Sequence, residues 1–216
     1  MIEPRRIVVW LVIVILGVTA LVLYQRQLHR YDGDWISPVR VHLLRSRELP
    51  AADCRLNEQE AQNILRRVNR IWEPARIQFE LDSLVEEEAV NLHQVSLEEG
   101  RINLGAVQEL RPLSSWAQHM IHVYYVHRMT SNGVFQGLDA IFVQDAAELH
   151  PVPGGIDTPL PRVTAHEIGH ALGLPHREAV TNLMASGTTG ISLSNDEIQT
   201  ARRTASGLSF ARKRTP

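Results

Sequence analysis

The chain has 216 residues, 44% hydrophobic and 21% charged, with a formal net charge of −2 and a pI near 6.6. That balance suits one globular domain plus an additional segment. It argues against a nucleic-acid partner, since no basic patch with interleaved aromatics is present. Cys54 is the single cysteine, so no intrachain disulfide forms, and the core, with a metal if one is bound, must hold the fold.

Residues 7–24, IVVWLVIVILGVTALVLY, are uncharged and strongly apolar. A run of that length crosses the hydrocarbon core of a bilayer with little tilt. Arg5 and Arg6 precede it, Arg26 and Arg30 follow, and Trp10 and Tyr24 sit near its ends, where interfacial aromatics are favoured. Two readings compete: a cleaved signal peptide, with Val18 and Ala20 before the cut, or a retained signal anchor. The apolar run continues past Ala20 to Leu23, which favours the anchor. The expectation is a transmembrane segment over 1–30 and a domain over 31–216, with the domain extracytoplasmic. Cleavage would make the protein secreted.

Residues 25–38 are polar, carry Gly33 and Pro38, and read as a linker. VRVHLLRS (39–46) alternates as a strand does. Over 57–75, Ala61, Ile64, Leu65, Val68 and Ile71 recur at helical spacing. Asn57 and Glu60 form a capping box at the start, and Pro74 ends the helix. RIQFELDSL (76–84) alternates Ile77, Phe79 and Leu81 as a half-buried strand. Residues 86–118 are acidic, then mixed, with a short helix near 105–111. Strands follow at 120–127 and 138–145, separated by a turn at 131–133. Residues 150–162 form a Pro/Gly loop. VTAHEIGHALG (163–173) is a helix opened by Val163 or Thr164 and closed by Gly173. In 192–206, Ser194 and Glu197 make a second capping box, and Ile198 and Ala201 or Ala205 can turn to the core. This order predicts one α+β domain with a mixed sheet. The basic ARKRTP end reads as a solvated tail.

The chemistry concentrates in HEIGHALGLPH (166–176). His166 and His170 lie four apart, so they share a helix face one turn apart and can share one tetrahedral zinc. Glu167 is not placed to be a third ligand beside them. It can reach a metal-bound water as general base and then proton donor. Gly173 can take the left-handed conformation of a sharp turn, after which His176 can swing back to the metal. Three neutral histidines leave a fourth position for water.

HEIGHALGLPH resembles the extended zinc motif HExxHxxGxxH of the metzincin metallopeptidases. Met184, in TNLMASG, stands where that family has its methionine turn, and the capped helix that follows is similar to the closing helix of the matrixin branch. The resemblance covers about residues 160–206. It implies a metzincin-like α+β zincin domain: a twisted mixed sheet, an active-site helix and a C-terminal helix. It implies one catalytic Zn2+, with Met184 as a hydrophobic floor and not a ligand. It implies a protein or peptide substrate, extended along an edge strand, 138–145 or its neighbour. Several positions depart from the family. Arg177 replaces the usual serine, and Ser186 the usual proline. The tyrosine ligand of astacin-like and serralysin-like members is missing, as is the PRCGxPD latency segment. Cys54, in ADCRLN, does not match that segment. His119, His122, His127 and His150 match no second metal site, and no calcium loop is clear.

The function expected is a membrane-anchored zinc endopeptidase. Two alternatives are a catalytically weak metzincin-fold module that binds a peptide or partner, and a narrow peptidase or amidase acting on a small peptide or cell-wall fragment. The intact Glu167 counts against the first of these.

Overall fold

The computed structural model describes residues 33–214. The expected transmembrane segment lies outside them. Among the described residues, no helix is long and apolar enough to cross a membrane. Residues Trp35–Arg214 group into one compact unit.

The chain runs β1 (Asp34–Arg45), α1 (Glu58–Trp72), β2 (Ile77–Glu88), a small hairpin of β3 (Leu97–Glu98) and β4 (Arg101–Ile102), then β5 (Ile121–Val126), β6 (Gly133–Phe135) and β7 (Ile141–Gln144). The helices α2 (Pro159–Ala171) and α3 (Asn195–Gly207) follow, and β8 (Arg212–Arg214) ends it. The main sheet is ordered β2-β1-β5-β7-β6, and β8 also pairs with β1. β1, β2, β5 and β7 are parallel neighbours, and β6 runs antiparallel to β7. This is the mixed α+β sheet expected from the order of elements.

The helices form where local chemistry favours them. Asn57 accepts from the Glu60 amide at 3.0 Å, and Glu60 accepts from the Asn57 amide at 2.9 Å. This capping box satisfies two amides that the first turn leaves without partners. Ala61, Ile64, Leu65, Val68, Ile71 and Trp72 are buried along one stripe of α1. Trp72 meets Phe79 of β2 edge-on at 6.2 Å. Ser194 and Glu197 cap α3 in the same way, and Ile198, Ala201 and Ala205 are buried. On the opposite face of the sheet, Leu44, Tyr124 and Phe142 pack beneath Ile102, Leu110 and Met129. Residues 89–119 thus cover what would otherwise be an exposed apolar sheet.

Several boundaries differ from the sequence expectation. β1 starts at Asp34 and includes Pro38, within the stretch read as linker. Pairing with β5 begins only at Val39, so Pro38 loses no hydrogen bond to that neighbour. β2 continues through the acidic residues to Glu88, in register with β1 as far as Arg45. The short helix near 105–111 is a single 3-10 turn, Val107–Leu110. Residues 133–135, read as the end of a turn and a connection, form β6, too short to show alternation. β6 lies outside β7, so the sheet edge falls to this neighbour and not to 138–145.

Candidate metal centre

α2 starts four residues before Val163, at Pro159, with Thr158 before it. Pro159 and Pro161 stand in its first turn, where amides have no intrahelical acceptor, so the missing N–H groups cost nothing. Tyr125 Oη of β5 pairs with Thr164 Oγ1 at 2.8 Å and fixes the helix on the sheet. At the C-terminus, Gly173 takes φ +80°. The Gly173 amide donates to the His170 carbonyl and the Leu174 amide to the Gly169 carbonyl, both at 2.9 Å. This is a Schellman turn, and it reverses the chain so that His176 returns to the helix face.

The three imidazoles converge. His170 Nε2 lies 3.2 Å from His166 Nε2 and 3.1 Å from His176 Nε2. His166 Nδ1 donates to the Leu183 carbonyl and His170 Nδ1 to the Leu174 carbonyl, each at 2.8 Å. A carbonyl only accepts, so both rings carry their proton on Nδ1 and turn an Nε2 lone pair inward. Burial pushes His166 down to about 3, with the Leu183 bond opposing, and burial also lowers His170. These two rings are therefore neutral at physiological pH, as metal ligands must be. Nitrogens about 2.0–2.1 Å from one tetrahedral zinc stand about 3.3 Å apart, close to the spacings here. Among the described residues, this is the one group of three histidine, cysteine or acidic side chains whose donor atoms converge in this way.

Glu167 is buried beside the triad. Burial pushes its carboxyl up to about 8, while Arg162 and the Phe135 backbone draw it down. Its side chain rests on Gly133 of β6. A Cβ there would lie 2.7 Å from Glu167 Oε1 and 2.8 Å from a Val163 methyl, so only glycine fits. The helix face and β6 border a cleft of about 970 Å³, into which Glu167 and the three histidines open.

Beneath the helix lies Met184, fully buried. A Cβ on Gly169 would come within 2.5 Å of Met184 Sδ, so the helix glycine is the seat of the methionine. The Met184 amide donates to Asn182 Oδ1 at 2.6 Å, and Asn182 Nδ2 donates to Glu197 Oε2 at 2.8 Å. Arg177 joins the same carboxylate at 3.0 Å and Asp196 at 2.6 Å, and its amide donates to the Met184 carbonyl at 3.0 Å. The arginine after the third histidine therefore clamps the loop to α3.

Arg162 carries weight that the sequence reading did not assign. Its guanidinium is buried and donates to the carbonyls of Gly190, Leu183 and Ala185. Leu183 O thus serves both Arg162 and His166. Burial pulls the arginine down to about 10, with Glu167 opposing. The available signal was position: Arg162 precedes His166 by four and so shares its helix face.

The remaining histidines stay apart from this centre. His127 Nδ1 pairs with Asp145 at 2.7 Å, and His119 lies 3.5 Å from Ser209 Oγ. His122 meets His42, which the sequence reading did not single out, at 2.8 Å between ring nitrogens. His150 joins the backbone of Gly187 and Thr189. Cys54 is buried, and burial pushes its thiol up to about 12; it is not part of the triad.

Residues 51–204 match the matrixin family model. The chain belongs to the matrixin family. A search of curated proteins gives no match. Solved structures give neighbours of similar fold to this matrixin. Archaemetzincin from Methanopyrus kandleri is 16% identical with a TM-score of 0.51, covering 79% of this chain and 96% of its own. Mature mirolysin from Tannerella forsythia, solved with a cleaved peptide, is 11% identical with a TM-score of 0.56, covering 83% and 99%. Metalloproteinase-II from Bacteroides fragilis is 12% identical with a TM-score of 0.51, covering 78% and 53%. At these identities the likeness is one of fold. The matrixin is a metzincin metallopeptidase at the level of its family, and metzincins bind a catalytic zinc.

Proposed function

We propose that this matrixin is a zinc-dependent endopeptidase that cleaves protein or peptide substrates close to a membrane surface. The observation that carries the reading is the convergence of three imidazole nitrogens beside one buried carboxylate in an open cleft. His166, His170 and His176 would hold the ion. Bound there, zinc supplies a Lewis acid that polarises the scissile carbonyl and acidifies water. Every other task falls to the protein. Leu183 and Leu174 carbonyls fix the rings of His166 and His170. Met184 fills the space beneath them, held by Asn182 and clamped through Arg177 and Glu197. Glu167, buried and next to Gly133, takes the proton of the attacking water on its carboxylate and delivers it to the leaving amine. Its raised proton affinity strengthens it as the acceptor of that proton. The outer edge of β6 offers backbone groups to an extended peptide, as in strand addition. The apolar run at 7–24 supports membrane attachment with the domain extracytoplasmic.

The test uses the full chain purified in detergent, with zinc measured by elemental analysis and cleavage followed on a peptide library. Glu167→Ala is expected to keep its zinc and to lose about 10²- to 10⁴-fold in turnover. Cleavage by Glu167→Ala at the wild-type rate would remove this carboxylate from the mechanism.

A further inference from the structure

Arg162 is 2% exposed, yet it lines the cleft beside Val163, His166 and Ser186. Nε donates to the Gly190 carbonyl at 3.2 Å, and Nη2 donates to the carbonyls of Leu183, at 2.7 Å, and Ala185. The two N–H groups of Nη1 have no partner among the described residues. No carboxylate of the described residues forms an ion pair with Arg162 either. The lining of the cleft holds a second cation, Arg101, and a single acid, Glu167, whose side chain rests on Gly133. Glu167 attracts the guanidinium without forming an ion pair with it, so a buried cation with unused donors keeps part of its desolvation cost. The group that removes that cost is a carboxylate, which matches its planar fork and forms charge-assisted hydrogen bonds in a site shielded from water.

We propose that the cleft selects substrates bearing a carboxylate, received by the Nη1 edge of Arg162. This rests on the peptidase reading and names the substrate class for it. Two sources share the chemistry: an aspartate or glutamate side chain near the cleaved bond, and a free peptide C-terminus. Arg162 is then a specificity-determining residue, and its three carbonyl bonds are what hold the guanidinium still.

The experiment takes the zinc-loaded full chain and peptide pairs that differ only as Glu against Gln, or Asp against Asn, at each position around the cleaved bond. A second arm compares free and amidated C-termini. The carboxylate member of one pair is expected to be cleaved with kcat/KM about 10- to 100-fold higher. Which arm shows the ratio identifies the source. Arg162→Gln should bring the ratio to near one, and Arg162→Lys should restore part of it. The wild-type ratio decides the matter even where Arg162→Gln fails to fold. Binding of the same pairs to Glu167→Gln, by fluorescence anisotropy, gives a readout without turnover. Cleavage with a ratio near one in every pair overturns the carboxylate site and leaves the peptidase standing. Tighter binding of carboxylate peptides without any cleavage does the reverse. Neither cleavage nor preferential binding overturns both.

Discussion

The two faces of the sheet each gather histidines, and the cluster in the cleft differs from the one behind it in a single ring. In the cleft, His166 and His170 have their outer nitrogens tied to carbonyls, and a third ring, His176, closes the set. Behind the sheet, His42 of β1 and His122 of β5 stack with centroids 5.1 Å apart. Their outer nitrogens are tied as well, His42 Nδ1 to Glu87 at 2.6 Å and His122 Nε2 to the Ala117 carbonyl at 2.8 Å. The inner nitrogens face each other at 2.8 Å. Ala117 O only accepts, so His122 holds a proton on Nε2. The bonds between the rings and to Glu87 each need one more. Burial lowers both rings below the ordinary imidazole value, with Glu87 opposing at His42. Two facing acceptors are satisfied by a proton; three converging acceptors call for a cation. The back cluster therefore pins residues 113–119 to the sheet, and the front cluster could hold a metal ion.

The largest expected effect separates the two. His170→Ala should lose both bound zinc and cleavage, whereas His122→Phe should keep zinc near one ion per chain. Elemental analysis of the two variants decides this, and a His122→Phe protein without zinc would erase the distinction. Next, Gly133→Ala drives a Cβ into Glu167, and turnover should fall about tenfold or more with zinc retained, a rise of about 1.4 kcal/mol in the barrier. An unchanged rate would mean that Glu167 does not need its seat on β6. Gly169→Ala pushes against Met184 from above. Overpacking of this kind costs about 1–3 kcal/mol, readable in urea unfolding.

The smallest effect is a pH dependence behind the cleft. Burial raises the Glu197 carboxyl, but the Ser194 backbone and the side chains of Asn182, Ser194 and Arg177 hold it below its ordinary 4.5 on balance. A depressed carboxyl adds stability above its unfolded value, and that stability is lost as pH falls through the folded one. The melting temperature of wild type should therefore exceed that of Glu197→Gln most clearly at neutral pH. The gap should narrow as the pH drops below the ordinary carboxylate range. A gap independent of pH would show that Glu197 acts by packing and not by charge.

Much of the site was legible because its parts lie close along the chain. One helix turn aligns His166 with His170, and one glycine in the left-handed conformation sends His176 back. These relations need only residues 166–176. The two capping boxes are equally local, closing over three residues each. Arg162 was visible as a residue but not as a role, because its partners lie 21–28 positions away.

What the sequence determined by itself is therefore whatever a few neighbouring residues can fix: the ligand offsets, the exit at Gly173, and the buried stripes of α1 and α3. What the tertiary structure alone decided depends on sheet order and register. It put Gly133 under Glu167, set Gly169 on Met184, and brought His42 to His122 across 80 positions. Strand pairing joins distant segments through backbone hydrogen bonds that any residue but proline can make. The sequence therefore carries little local trace of which strand becomes the edge, or which side chains meet across it.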